Sequence, residues 1–126
     1  MKFSLEAPAR MNLIRGCAAG EVRIGTAVYR SSLIVAGEAL ITDWPVSDVR
    51  RLGPADCGVI EQLAPAVVLL GTGETQVFPD PRLFAHFATL GIGLEVMDNG
   101  AACRTYNVLV SDGRRAVCAL ILPATA

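Results

Sequence analysis

Four cysteines, one histidine and two short polar clusters are the places where this chain of 126 residues could do chemistry. Cys17, Cys57, Cys103 and Cys118 stand far apart with no CxxC pair, so the spacing excludes a local zinc knuckle. A four-cysteine metal site would need four separate elements to converge. The reading here is four small, mostly buried thiols in a reducing compartment, with no disulfide framework. His86 is the only histidine, which closes zinc sites built on several histidines. A Cys–His nucleophile pair would require one of the thiols to meet His86 in the fold.

The first polar cluster is Gly71-Thr72-Gly73-Glu74-Thr75-Gln76, directly after the strongest strand signal of the chain. A glycine-rich turn at the C-terminal end of a strand leaves backbone N–H groups free for a ligand. Gln76 occupies the third glycine position of a dinucleotide fingerprint, and the Lys-Ser/Thr pair of a phosphate loop is missing. Two readings stand: a ligand-facing turn, or a turn whose glycines, Gly73 above all, supply positive φ.

The second cluster runs from Asp98 to Asn107 on a helix expected from Ala101 to about Ser111. At about 100° per residue, Ala101, Ala102, Thr105, Val108 and Leu109 point inward. Arg104, Asn107 and Ser111 form a polar stripe, and Cys103 and Tyr106 lie at the edges of the apolar face. Arg104 offers a fork to a carboxylate, either Glu74 or Glu95 within the chain or one on a ligand or partner. Cys103, on the flank of that face, is expected to be unreactive. The candidate binding set is therefore Gly71, Thr72, Gly73, Glu74, Glu95, Arg104, Tyr106 and Asn107. It surrounds a crevice between Gly71–Gln76 and Asn99–Asn107, with no catalytic set, metal or cofactor assigned.

Those clusters need elements to hold them. Asn12–Ala18 and Glu21–Ile24 read as strands around an Ala19-Gly20 turn, followed by Ser31–Ala36 and Ala39–Thr42 around Gly37-Glu38. From residue 53 the pattern alternates. Pro54 opens a helix whose apolar face carries Leu52, Ala55, Val59, Ile60 and Leu63. Ala66–Leu70 is a strand expected near the centre of a sheet. Asp80-Pro81 caps and starts a helix with Leu83, Phe84, Phe87 and Leu90 as its stripe and His86 at the boundary. Leu94–Met97 and Arg114–Leu122 complete the strands. The sum is an α/β fold, one domain over residues 1–126: a largely parallel sheet covered on both sides, an N-terminal β meander and three main helices.

Composition bounds the function. Eleven basic against twelve acidic residues give a net charge of −1, which argues against a nucleic-acid partner. Hydrophobic residues reach 52% while charged ones are only 18%, below the roughly 25% usual for soluble domains. The apolar surplus serves a large core or an interface. No run reaches the ~18 apolar residues of a membrane-spanning helix. Glu6 and Pro8 interrupt the start too early for a signal peptide.

Four blocks carry a family likeness: Tyr29–Val35, Leu69–Gly73, Gly91–Met97 and Ala101-Ala102-Cys103-Arg104-Thr105-Tyr106-Asn107-Val108-Leu109. In that order and spacing the chain resembles the small domain-of-unknown-function family that includes the mitochondrial respiratory complex I assembly factor three and adipogenesis-associated cytosolic proteins. The resemblance implies a three-layer α/β domain with a mixed sheet, no established catalytic activity and no known cofactor. It also implies protein partners, among them subunits of a membrane-bound complex. Without an Arg- and Ser-rich leader the chain looks like a bacterial, cytoplasmic relative.

Overall fold

A computed structural model describes residues 11–124; Glu6 and Pro8, on which the argument against a signal peptide rests, lie outside them. The meander comes first, as β1 (Ile14–Ala18), β2 (Glu21–Ile24) and β3 (Ala27–Tyr29), each antiparallel to the next. Gly20 (φ 75°) and Gly25 (φ 60°) make the two turns. Val22 and Ile24 face inward and Arg23 outward, as the alternation requires. β3 is an addition to the sequence reading. Its three residues are too few to carry a period, and they pair because the Gly25 turn returns the chain along β2.

A second sheet has the order β5-β4-β8-β6-β7, built from β4 (Leu33–Ala36), β5 (Ala39–Ile41), β6 (Val67–Gly71), β7 (Gly93–Met97) and β8 (Ala116–Leu120). β6 runs parallel to both β7 and β8, while β4 is antiparallel to β5 and β8, so the sheet is mixed. The middle strand is β8. β6, expected there, lies one place toward the β7 edge, because β4 returns the N-terminal hairpin to the far side of β8.

Alternate side chains feed two cores. Ile34, Val68, Leu70, Val96, Val117 and Ala119 face α1 (Gly58–Gln62), α2 (Pro81–Thr89) and the Trp44–Leu52 segment. Leu33, Val35, Leu69, Cys118 and Leu120 face α3 (Asn99–Ser111) and the meander. Three layers result. α1 follows a 3-10 turn, Pro54–Cys57, and α2 starts at Pro81 with Asp80 accepting from the Arg82 N–H. Leu83 and Phe87 are buried, but Leu90 is 45% exposed because α2 has ended by then.

The facing of α3 corrects the helical-wheel expectation. Its buried residues are Asn99, Ala102, Cys103, Tyr106 and Val110, whereas Val108 is 67% exposed. The expected arc, at about 100° per residue, runs through Ala101, Ala102, Thr105, Val108 and Leu109 and centres on Thr105. The observed arc is rotated so that Tyr106 enters the core, where its ring buries more area than a valine and its hydroxyl reaches a backbone acceptor.

Candidate functional site

The crevice forms where β6 and β7 end together. Thr72 N–H donates to Met97 O at 3.0 Å, and Gly71 O accepts from Ile121 N–H at 2.9 Å, so the turn after β6 is held on both sides. Asn99, the first residue of α3, locks it. Its N–H donates to Gly73 O at 2.8 Å, its Oδ1 accepts from Gly73 N–H at 3.1 Å, and its Nδ2 donates to Ile121 O at 3.0 Å. Asn99 was not among the sequence candidates. The signal was its place one residue after a helix cap, which Asp98 supplies by accepting from Ala101 N–H at 2.8 Å.

The two glycines of the turn do different work. Gly73 has φ 120°, with open space around its missing Cβ, so it is there for backbone conformation. Gly71 is there for room: a Cβ would collide with Asn99 Oδ1 and come within 2.7 Å of Leu120 Cδ2. The Thr72 hydroxyl donates to Thr75 O and accepts from Val77 N–H, both at 2.9 Å. Gln76 Nε2 donates to Val96 O at 2.8 Å on β7.

A cavity of about 580 Å3 opens above this turn. Thr72, Gly73 and Glu74 line one wall, Asp98, Asn99 and Gly100 a second, and Cys17 to Gly20 of the meander a third. Its charged lining groups are the Glu74 and Asp98 carboxylates. The N-terminal end of α3 offsets part of that negative charge.

The other candidates are dispersed. Glu95 is exposed on the edge strand β7, and Arg104 is exposed on α3. Among the described residues neither forms an ion pair with the other or with Glu74. The Arg104 guanidinium instead folds back along its own helix, 3.3 Å from where a Cβ on Gly100 would stand. Tyr106 is fully buried and its hydroxyl donates to Asn12 O at 2.6 Å. Asn107 is bonded to the backbone of Ile14 on β1. The Tyr-Asn pair thus docks the start of the meander onto α3.

Tertiary structure also gathers what sequence scattered. Cys17, Cys103 and Cys118 meet in the core under α3. The neighbouring Cys103 thiol, then burial, drive the Cys17 thiol far above the ordinary range. The Cys118 thiol first, and burial after it, push Cys103 up to about 12, against an opposing effect of Cys17. No periodicity links a strand, a helix and a distant strand, so nothing in the sequence could have joined them. Cys57 stands apart and is pushed up to about 12 by burial first, then by Asp56 and Glu61. His86 meets no thiol; its Nε2 lies 2.6 Å from Glu61 Oε2, joining α2 to α1. Among the described residues, no group of three or more His, Cys, Asp or Glu is arranged to hold a metal ion. Nor, among them, is any helix long and apolar enough to cross a membrane.

Mixed five-stranded sheet, antiparallel N-terminal meander and a helix capped over the β6 turn define one class of α/β fold. The chain belongs to the DUF498/DUF598 family of proteins of unknown function, whose model matches residues 14–121. A Xanthomonas campestris protein solved by NMR shares 40% identity and superposes with a TM-score of 0.85, covering 97% of this chain and 92% of that one. A protein of Francisella tularensis named 13 kDa major membrane protein is 30% identical over 94 residues, 74% of this chain and 76% of its own length. The NADH dehydrogenase [ubiquinone] 1 alpha subcomplex assembly factor 3 of Xenopus tropicalis is 32% identical over 85 residues, 66% of this chain. The match spans 46% of that assembly factor, about half its length.

Proposed function

We propose that this protein is a non-enzymatic interaction module, a single cytoplasmic domain that binds protein partners during assembly of a membrane-bound respiratory complex. The observation that carries the reading is the inversion on α3. Tyr106 and Asn107 turn to the protein while Val108, between half-buried neighbours, is 67% exposed. An apolar side chain held outward on a rigid, doubly anchored helix suits burial against another protein. The likeness to assembly factor 3 supports the same reading and suggests the partner class.

The test is capture from native-host membrane extract with wild type and Val108→Asp side by side. Wild type recovers subunits of a membrane complex, and Val108→Asp loses them while keeping its circular dichroism. Equal recovery by both, or recovery of no such subunit, overturns the reading.

A second reading rests on the cavity of about 580 Å3, which falls within the ~300–1,000 Å3 typical of small-ligand sites. Gly71, Thr72, Gly73 and Glu74 would then shape and contact a small molecule above β6. Native mass spectrometry decides it: a small molecule retained by wild type and lost on Glu74→Ala favours this site.

A further inference from the structure

Access distinguishes the three clustered thiols. Cys17 is half-buried and lines the cavity, Cys103 is 5% exposed, and Cys118 is fully buried. Three elements supply them: β1 brings Cys17, the buried face of α3 brings Cys103, and the α3-facing side of β8 brings Cys118. Cys17 packs against the same core cluster that holds Cys103 and Cys118, and neighbouring thiols perturb the titration of Cys17 and of Cys103. A thiol open to a cavity and backed by a second thiol is the arrangement needed for thiol–disulfide exchange followed by resolution.

We propose that Cys17 is a covalent modification site for small disulfides of the oxidised-glutathione type, reached through the cavity, and that Cys103 resolves the adduct into an internal Cys17–Cys103 disulfide. In the first step Cys17 gives up its proton and its sulfur attacks one sulfur of the small disulfide. The S–S bond breaks, one half remains on Cys17, and the other leaves as a thiolate that takes a proton. In the second step Cys103 loses its proton and attacks the Cys17 sulfur, expelling the second small thiol. Two protein thiols are oxidised and one small disulfide is reduced to two thiols. The product bond staples β1 to α3, the same pair of elements that Asn107 joins by hydrogen bonds. Because both thiols hold their protons well above neutral pH, the exchange is slow at pH 7 and speeds up about tenfold per pH unit.

The experiment incubates reduced, native protein with oxidised glutathione at several alkaline pH values and follows intact mass and peptide maps. Wild type loses two hydrogens, and the linked peptides contain Cys17 and Cys103. Cys103→Ser instead accumulates a glutathione adduct on Cys17, the thiol that lines the cavity, before any adduct on buried Cys57 or Cys118. An adduct that persists on Cys17 of wild type, a Cys103–Cys118 bond, or first modification at a thiol other than Cys17 overturns the proposal. The wild-type map alone decides the point should the serine variant fail to fold.

Discussion

Asn107 holds the backbone of Ile14 with both ends of its amide: Oδ1 accepts from Ile14 N–H at 2.9 Å and Nδ2 donates to Ile14 O at 2.8 Å. The side chain acts as a short strand laid against β1, joining a helix to a sheet whose own pairing lies on the other side. Asn107→Ala removes both bonds and leaves two partly buried backbone groups unpaired. It should cost about 1–3 kcal/mol in urea unfolding. Hydrogen exchange at the Ile14 amide should accelerate before exchange in β6 does, since the lesion is local.

Gly71 and Gly73 should respond to substitution for different reasons. Gly73→Val strains a backbone at φ 120° without meeting a neighbour and should cost about 1–3 kcal/mol. Gly71→Ala drives a methyl group at Asn99 and Leu120 and should cost a similar amount through overpacking, about 1–3 kcal/mol. Asn99→Ala separates them by double-mutant cycle: its effect should couple strongly to Gly71→Ala. Additivity at Gly71 would show that Asn99 is not what excludes the methyl.

The rotated face of α3 gives a paired measurement. Val110, 5% exposed, should cost about 1–3 kcal/mol when cut to alanine, while Val108→Ala at 67% exposure should stay within about 0.5 kcal/mol. Equal losses at both positions would restore the helical-wheel expectation.

Alkaline pH should weaken the fold. The Cys57 thiol is raised from the ordinary 9.0 to about 12 by burial and by Asp56 and Glu61. A folded value above the unfolded one means that the stabilisation is complete below pH 9.0 and is lost as pH rises toward about 12. Cys103 acts in the same direction. Denaturant midpoints should be flat up to about pH 9 and fall above it, and Cys57→Ala should flatten part of that fall. An unchanged slope in Cys57→Ala would remove Cys57 from the account.

Much of the fold was legible because local chemistry and tertiary demand agreed. Asp80-Pro81 starts α2 as its cap and fixed φ require, and Val22 and Ile24 alternate with Arg23 as a half-buried strand must. Gly73 carries the positive φ that a turn after β6 needs, and Cys103 is buried as its flank position implied. The β-rich start and the helix–strand alternation followed from these periods, and the mixed sheet from the family likeness. The family likeness rested on the same residues.

What the sequence could not decide were relations between faces. The wheel counted Val108 as core and Tyr106 as edge. The reverse holds because a buried ring with its hydroxyl on Asn12 O outweighs one valine methyl pair, and Asn12 lies some ninety residues away in the chain. Arg104, Glu95 and Glu74 look like partners by charge, but a helix surface, an exposed edge strand and a cavity wall keep them apart. Cys17, Cys103 and Cys118 look scattered, yet β1, α3 and β8 bring them to one core. Periodicity within a segment is a local property that the chain carries in its order of residues. Which segment covers which face is set by packing across the whole core, and only the tertiary structure holds that information.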